Sequence, residues 1–171
     1  MVRRLQAMSQ STSKKVVVCG YAGAERMAQS VVPYLSPLCM RQAHTRDELF
    51  EALSQCHPPV CIVEHKVLSI DPIKVLTETQ LDAATLAAMT KAFTTYELLP
   101  DLARCSPETR FVITSHTRGS GLSRAEHALY KQRPEVIKVM GFVNGTGNTI
   151  YLLKLLSRVY LGKTWKGYDV A

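Results

Sequence analysis

Val16-Val17-Val18-Cys19 and Val60-Cys61-Ile62-Val63 are unbroken apolar runs, the first closed by Gly20 and the second by Glu64-His65. Four apolar residues rich in β-branched side chains are too few for a helix. They also lack the alternation of a strand with one wet face. Such runs fit strands buried on both faces, as in a parallel sheet with helices packed above and below. Phe111-Val112-Ile113 repeats the signal inside a predicted strand over 109–115, and two further strands are expected over 40–44 and 136–143.

Between these runs the apolar spacing becomes helical. Met27, Val31, Val32 and Leu35 share one face of a helix predicted over 24–35, with Pro37 just beyond it. Thr45 followed by Glu48 is a capping box that opens a helix over 46–55, whose apolar face is Leu49, Phe50 and Leu53. After the break at Pro58-Pro59, residues 81–102 carry long helix-forming runs, with Leu86, Met89, Phe93 and Tyr96 at helical spacings. A helix is expected over 123–132, and a strongly amphipathic last one over 149–161. In the latter Ile150, Leu152, Leu153, Leu155, Leu156 and Val159 oppose Lys154 and Arg158.

Strand and helix thus alternate five times. The pattern predicts a (βα)5 doubly wound α/β domain over 15–161, a five-stranded parallel sheet with right-handed crossovers. Residues 1–14 are expected to form a flexible arm and 162–171 a tail that holds Trp165. Ligands and partners of such folds meet the carboxyl ends of the strands. Those ends are Cys19-Gly20, Glu64-His65, residues 114–117 and residues 144–148.

The 171 residues suffice for one domain with a real core, and no stretch approaches the ~20 apolar residues of a membrane span. The basic start of the chain runs into Ser-Gln-Ser-Thr-Ser with no apolar centre, unlike a secretory signal, so the expected location is the cytoplasm. Five cysteines without CxxC spacing fit a reducing compartment and are expected mostly as small buried apolar residues. The net charge of +7 favours anionic partners in general, and a basic domain assisting nucleic-acid binding is one reading. Much of the basic excess lies at the two ends of the chain, but no run of five or six like charges appears and aromatics are not interleaved with the basic residues, so direct nucleic-acid binding is not expected.

The order and spacing over nearly the whole chain resemble the receiver domains of bacterial response regulators. In that family the first strand ends in two acidic residues that hold Mg²⁺. The third ends in a phosphoryl-accepting Asp, the fourth in Thr or Ser, and the fifth in a Lys-Pro pair. Laid on this chain, the acidic pair falls on Cys19 and Gly20, the acceptor on Glu64 and the hydroxyl on Thr114. Phe142 takes an aromatic position and Gly145 stands where the Lys would be. The resemblance therefore implies a degenerate receiver, a pseudo-receiver. Such a module works without aspartyl phosphorylation, with no catalytic residue and no cofactor or metal. It regulates a protein partner by binding, and by analogy dimerises through the last strand and helix. Glu64 would then act as a permanent negative charge in place of a phosphoryl-aspartate.

The interval from Glu64 to Thr114 is 50 positions (114 − 64), longer than the receiver pattern requires. The surplus lies within 68–104, as an enlarged third helix or an added helical excursion, and is a candidate partner surface. Gly145, Gly147, Asn148 and Thr149 precede the last helix and form a candidate anion-binding turn. The plainer reading of the same residues is a tight turn in which Asn148 or Thr149 caps the helix. Gly20 to Ala24 lacks the dinucleotide fingerprint, and Ser120 lacks the nucleophile elbow. Cys19, His65 and His116 sit at strand ends beside Glu64, a set that suits zinc or a Cys-His nucleophile if the fold brings it together. A flavodoxin-like ligand-binding protein or small enzyme using that end of the sheet is thus the second reading, and it predicts a concave pocket there.

Overall fold

The computed structural model describes residues 15–19, 22–35, 38–115, 124–132, 142–144 and 149–161. The elements run β1 (Lys15–Cys19), α1 (Ala22–Val31), a 3-10 turn (Val32–Leu35), β2 (Cys39–Ala43), α2 (Arg46–Cys56) and β3 (Val60–Glu64). They continue with β4 (Lys66–Leu68), α3 (Pro72–Glu78), α4 (Ala83–Met89), β5 (Ala92–Thr94) and α5 (Thr95–Cys105). Last come β6 (Arg110–Ser115), α6 (Arg124–Lys131), β7 (Phe142–Asn144) and α7 (Thr149–Leu161).

Among the described residues five strands form one sheet in the order β2-β1-β3-β6-β7, every neighbouring pair parallel. β3 and β6 lie inside it, and residues 60–63 and 111–113 are fully buried, as unbroken apolar runs require. Their side chains alternate between two cores. On one face Val16, Val60, Ile62 and Val112 pack against Met27, Ala28 and Val31 of α1 and Leu152, Leu155 and Leu156 of α7. On the other, Cys61, Val63, Phe111 and Ile113 meet Leu49 and Leu53 of α2, Leu98, Leu99 and Leu102 of α5, and Tyr130 of α6. Each fully buried leucine contributes roughly 1.5–3 kcal/mol of transfer free energy. Tyr160 of α7 donates to the Lys15 carbonyl at 2.8 Å, tying the last helix to the first strand.

α2 carries the predicted cap in a shifted form. Thr45 Oγ1 accepts from Glu48 N at 3.2 Å, but the Glu48 carboxylate reaches back to His44 N rather than to Thr45 N. The helix predicted over 24–35 tightens into its 3-10 turn at Val32, next to Pro33, which has no N–H to continue an α-helical ladder. Of the cysteines whose side chains are described, Cys61 is buried, while Cys39, Cys56 and Cys105 are only half-buried. The strand expected over 136–143 is described only as β7, and residues 133–141 lie outside the described residues, as do 1–14 and 162–171 with Trp165.

The long helical stretch expected over 81–102 is not one helix. α4 ends at Met89, residues 92–94 are the strand β5, and α5 then starts afresh at Thr95. β5 pairs antiparallel with β4, Lys66 opposite Thr94, Val67 opposite Phe93 and Leu68 opposite Ala92. Ser69 and Lys91 extend the ladder: Ser69 N donates to the Lys91 carbonyl, and Lys91 N donates to Ser69 Oγ, each at 2.8 Å. The surplus between β3 and β6 is therefore an excursion with a two-stranded neck and a head of two short helices. Asp71 and Asp82 cap those helices. Tertiary pairing has overridden local helix preference here, because Phe93 gains a partner strand and a cation. The Arg46 guanidinium lies 4.9 Å from the Phe50 ring centre and 5.4 Å from that of Phe93, holding the neck against α2.

Candidate functional site

The parallel register brings the strand ends into one row. Glu64, the last residue of β3, is paired with Thr114 of β6, and Thr114 with Val143 of β7. Cys19 ends β1 opposite Val63 on one side and Ala43 on the other, one step short of Glu64. Phe142 opens β7 opposite Ile113. Glu64 and Thr114 are thus neighbours across the ladder, at the carboxyl edge where this architecture places its ligands. Thr149 is the first residue of α7. Gly20, Gly145, Gly147, Asn148, His116 and Ser120 lie outside the described residues.

Strand alternation divides the chemistry at the end of β3 between the two faces. Val60 and Ile62 point into the α1–α7 core, which puts Glu64 on that side, and Thr114 follows Val112 to the same side. Thr114 is fully buried, and its hydroxyl has no hydrogen-bond partner among the described residues. Cys61 and Val63 face α2 and α5, so His65, directly after the strand, falls on the opposite side from Glu64.

The backbone around this point is closely tied. His65 N donates to the Thr114 carbonyl at 2.8 Å, holding the two strand ends together one residue past β3. Thr95 at the start of α5 is fully buried, its N donating to the His65 carbonyl at 2.8 Å and its hydroxyl to the Glu64 carbonyl. The chain leaves the sheet at Glu64, makes its excursion, and is returned by Thr95 to the place it left.

His65 does not meet Cys19 in a described metal set. His65 Nδ1 is hydrogen-bonded to Tyr130 Oη at 2.7 Å, with ring centres 5.7 Å apart at 72°. Tyr96 stands edge-on to the same Tyr130 ring at 5.7 Å and 90°. Both are favourable aromatic geometries. His65, Thr94, Tyr96, Leu129 and Tyr130 line a pocket of about 180 Å³. A concave site at this end of the sheet was the expectation of the ligand-binding reading, but the described residues that line this one are His65, Thr94, Leu129 and two tyrosines, and Glu64 is not among them. Sequence reasoning missed Tyr130 because it lies 65 positions from His65 and no motif links them.

Mg²⁺ is the ion that a receiver fold implies, and the donor set does not fit it. A hard cation needs oxygen ligands, several of them carboxylates. β1 ends in Cys19, the next residue is Gly20, and Glu64 alone supplies a carboxylate in the row. Among the described residues no group of three His, Cys, Asp or Glu side chains is placed to hold a metal. Nor is any helix among them long and apolar enough to cross a membrane.

No protein-family model matches the chain, and no curated protein does. Solved structures do resemble it. One is a response regulator from Burkholderia pseudomallei, solved with a phosphorylated aspartic acid, a calcium ion and citrate. It superposes with a TM-score of 0.52 at 16% identity, over 84% of this chain. This chain spans 66% of that one, just under two thirds of its length. Another is the signal receiver domain of the response regulator NarL from Mycobacterium tuberculosis, with a TM-score of 0.49, 14% identity, and 88% and 98% of the two chains covered. The likeness at such identity is one of fold. The receiver-like α/β architecture expected from the sequence is the architecture observed.

Proposed function

We propose that this chain is a signalling module of receiver fold that regulates a protein partner by binding and undergoes no aspartyl phosphorylation. The observation that carries the reading is the row of strand ends. Phosphoryl transfer to a carboxylate needs a metal to neutralise charge on the oxygens in flight. In this row β1 ends in Cys19, which the sequence follows with Gly20, and β3 ends in a glutamate. Glu64 supplies a standing negative charge beside the buried Thr114 hydroxyl, so the site carries one fixed state.

The partner surface in this reading is the head of the excursion. Ile73, Leu76 and Met89 are large apolar residues left exposed there, and α3 buries none of its residues. Such a group on a short helical pair fits a docking surface. The neck and Thr95 attach it firmly to the end of β3, where receiver folds carry their signal.

The test is incubation of the purified chain with a small phosphodonor and Mg²⁺, read by intact mass and by thermal unfolding. The expected result is no acid-labile phosphoryl adduct and no stabilisation by Mg²⁺. An adduct on any carboxylate, or a saturable Mg²⁺-dependent rise in Tm, would sink the reading.

A further inference from the structure

We propose that the pocket between the neck of the excursion, α5 and α6 binds a small neutral aromatic molecule of one ring carrying one hydrogen-bonding substituent. The proposal does not rest on the absence of aspartyl phosphorylation, because the pocket lies on the opposite face of β3 from Glu64 and Thr114.

Size sets the first limit. A cavity of about 150 Å³ lined by apolar side chains accepts benzene, and this pocket is about 180 Å³. One ring with a small substituent fills that space. Drug-sized and nucleotide ligands need roughly 300 Å³ or more.

Lining sets the second. His65, Tyr96 and Tyr130 bring ring surfaces and edges, and Leu129 adds an aliphatic wall that is 41% exposed and so stands at the opening. Aromatic surfaces of this kind take another ring edge-to-face or offset, as Tyr130 already takes His65 and Tyr96. Among the described residues no carboxylate, ammonium or guanidinium lines the pocket. A charged ligand would lose its hydration there with no countercharge in return, which selects a neutral one.

One polar group on the ligand is matched by Thr94. This residue is the N-cap of α5, a position whose hydroxyl usually accepts from a backbone N–H inside the helix, yet its side chain makes no capping hydrogen bond. Thr94 is one of the residues that line the pocket, and a threonine hydroxyl can donate to or accept from a phenolic or alcoholic oxygen. A phenol-like molecule therefore satisfies the volume, the rings and the threonine together. Since the walls come from β5, α5 and α6, its binding would join the neck of the excursion to α6.

The experiment uses the full chain and phenol itself as the probe, followed by NMR of the His65 and Tyr130 ring resonances. Expected is a saturable shift of both, with a dissociation constant on the order of 1 mM for a ligand of this size. Leu129→Trp fills the opening from a partly exposed position, so the fold should survive with Tm unchanged while the phenol response is lost. Thr94→Val should weaken phenol and leave benzene binding in place, which separates the hydroxyl contact from ring burial. The absence of any saturable shift, or an equal response in Leu129→Trp, would overturn the site. Tetramethylammonium binding more tightly than phenol would overturn the neutral class and make the pocket a cation cage.

Discussion

His57 closes α2 with φ of 42°, in the left-handed region, and its N–H bonds back to the Leu53 carbonyl at 3.0 Å. Glycine is the usual occupant of such a cap, because a Cβ there crowds the backbone by about 1–2 kcal/mol. The imidazole offsets part of this by lying 3.3 Å from the Glu108 carboxylate and 3.4 Å from Ser106 Oγ, contacts that are half-exposed and individually weak. His57→Gly and His57→Val both remove the ring, so comparing them isolates the backbone. The valine variant should be less stable than the glycine one by about 1–2 kcal/mol in denaturant unfolding at equal m-value. Equal midpoints would mean that residue 57 is not held left-handed. Nothing in the sequence around 57 marks this position: His-Pro-Pro signals a break without saying where the positive φ falls. Thr45 and Glu48 were legible by contrast, because a capping box is a local pattern at fixed spacing.

At the scale of elements, the excursion is the part of the fold that the sequence concealed. The surplus length between Glu64 and Thr114 was countable, but its form was not. β4 and β5 have three residues each, too few to show a period of two, and their pairing spans more than twenty residues of chain. Phe93 and Tyr96 keep a helical interval with Leu86 and Met89, and that coincidence imitates one long helix. The pairing itself gives a sharp prediction. Because Ser69 and Lys91 face each other at the end of the ladder, replacing residues 70–90 with Asn-Gly should close a two-residue hairpin on the existing neck. The shortened protein should keep its far-UV circular dichroism and unfold cooperatively. It should lose about 1.5–3 kcal/mol, mainly from Leu86, the buried leucine of the head. Loss of cooperative unfolding would show that the head is part of the core and not a platform added to it.

For the whole molecule, the parallel sheet and its two covered faces follow from signals that survive in sequence, since each rests on consecutive apolar residues or on a helical face. The pocket does not, because it depends on Tyr130 reaching His65 across the end of a sheet already assembled. A similar long-range contact governs the molecule's response to alkali. Tyr160 links α7 to β1 through the Lys15 carbonyl, and burial raises its phenolic pKa above the ordinary value of 10.0. A raised value means that folding favours the neutral phenol. Its contribution is therefore complete below pH 10 and is lost as pH climbs from there toward the folded-state value. Above pH 10 wild type should lose stability more steeply than Tyr160→Phe, by at most about 1.4 kcal/mol per pH unit. At neutral pH the order reverses, the phenylalanine variant being weaker by about 1 kcal/mol for its missing hydrogen bond. Urea unfolding from pH 7 to 11 checks both limbs, since other tyrosines and lysines titrate alike in the two proteins and cancel in the difference. Parallel curves would mean that Tyr160 ionises freely, and that the first strand and last helix are not joined through its hydroxyl.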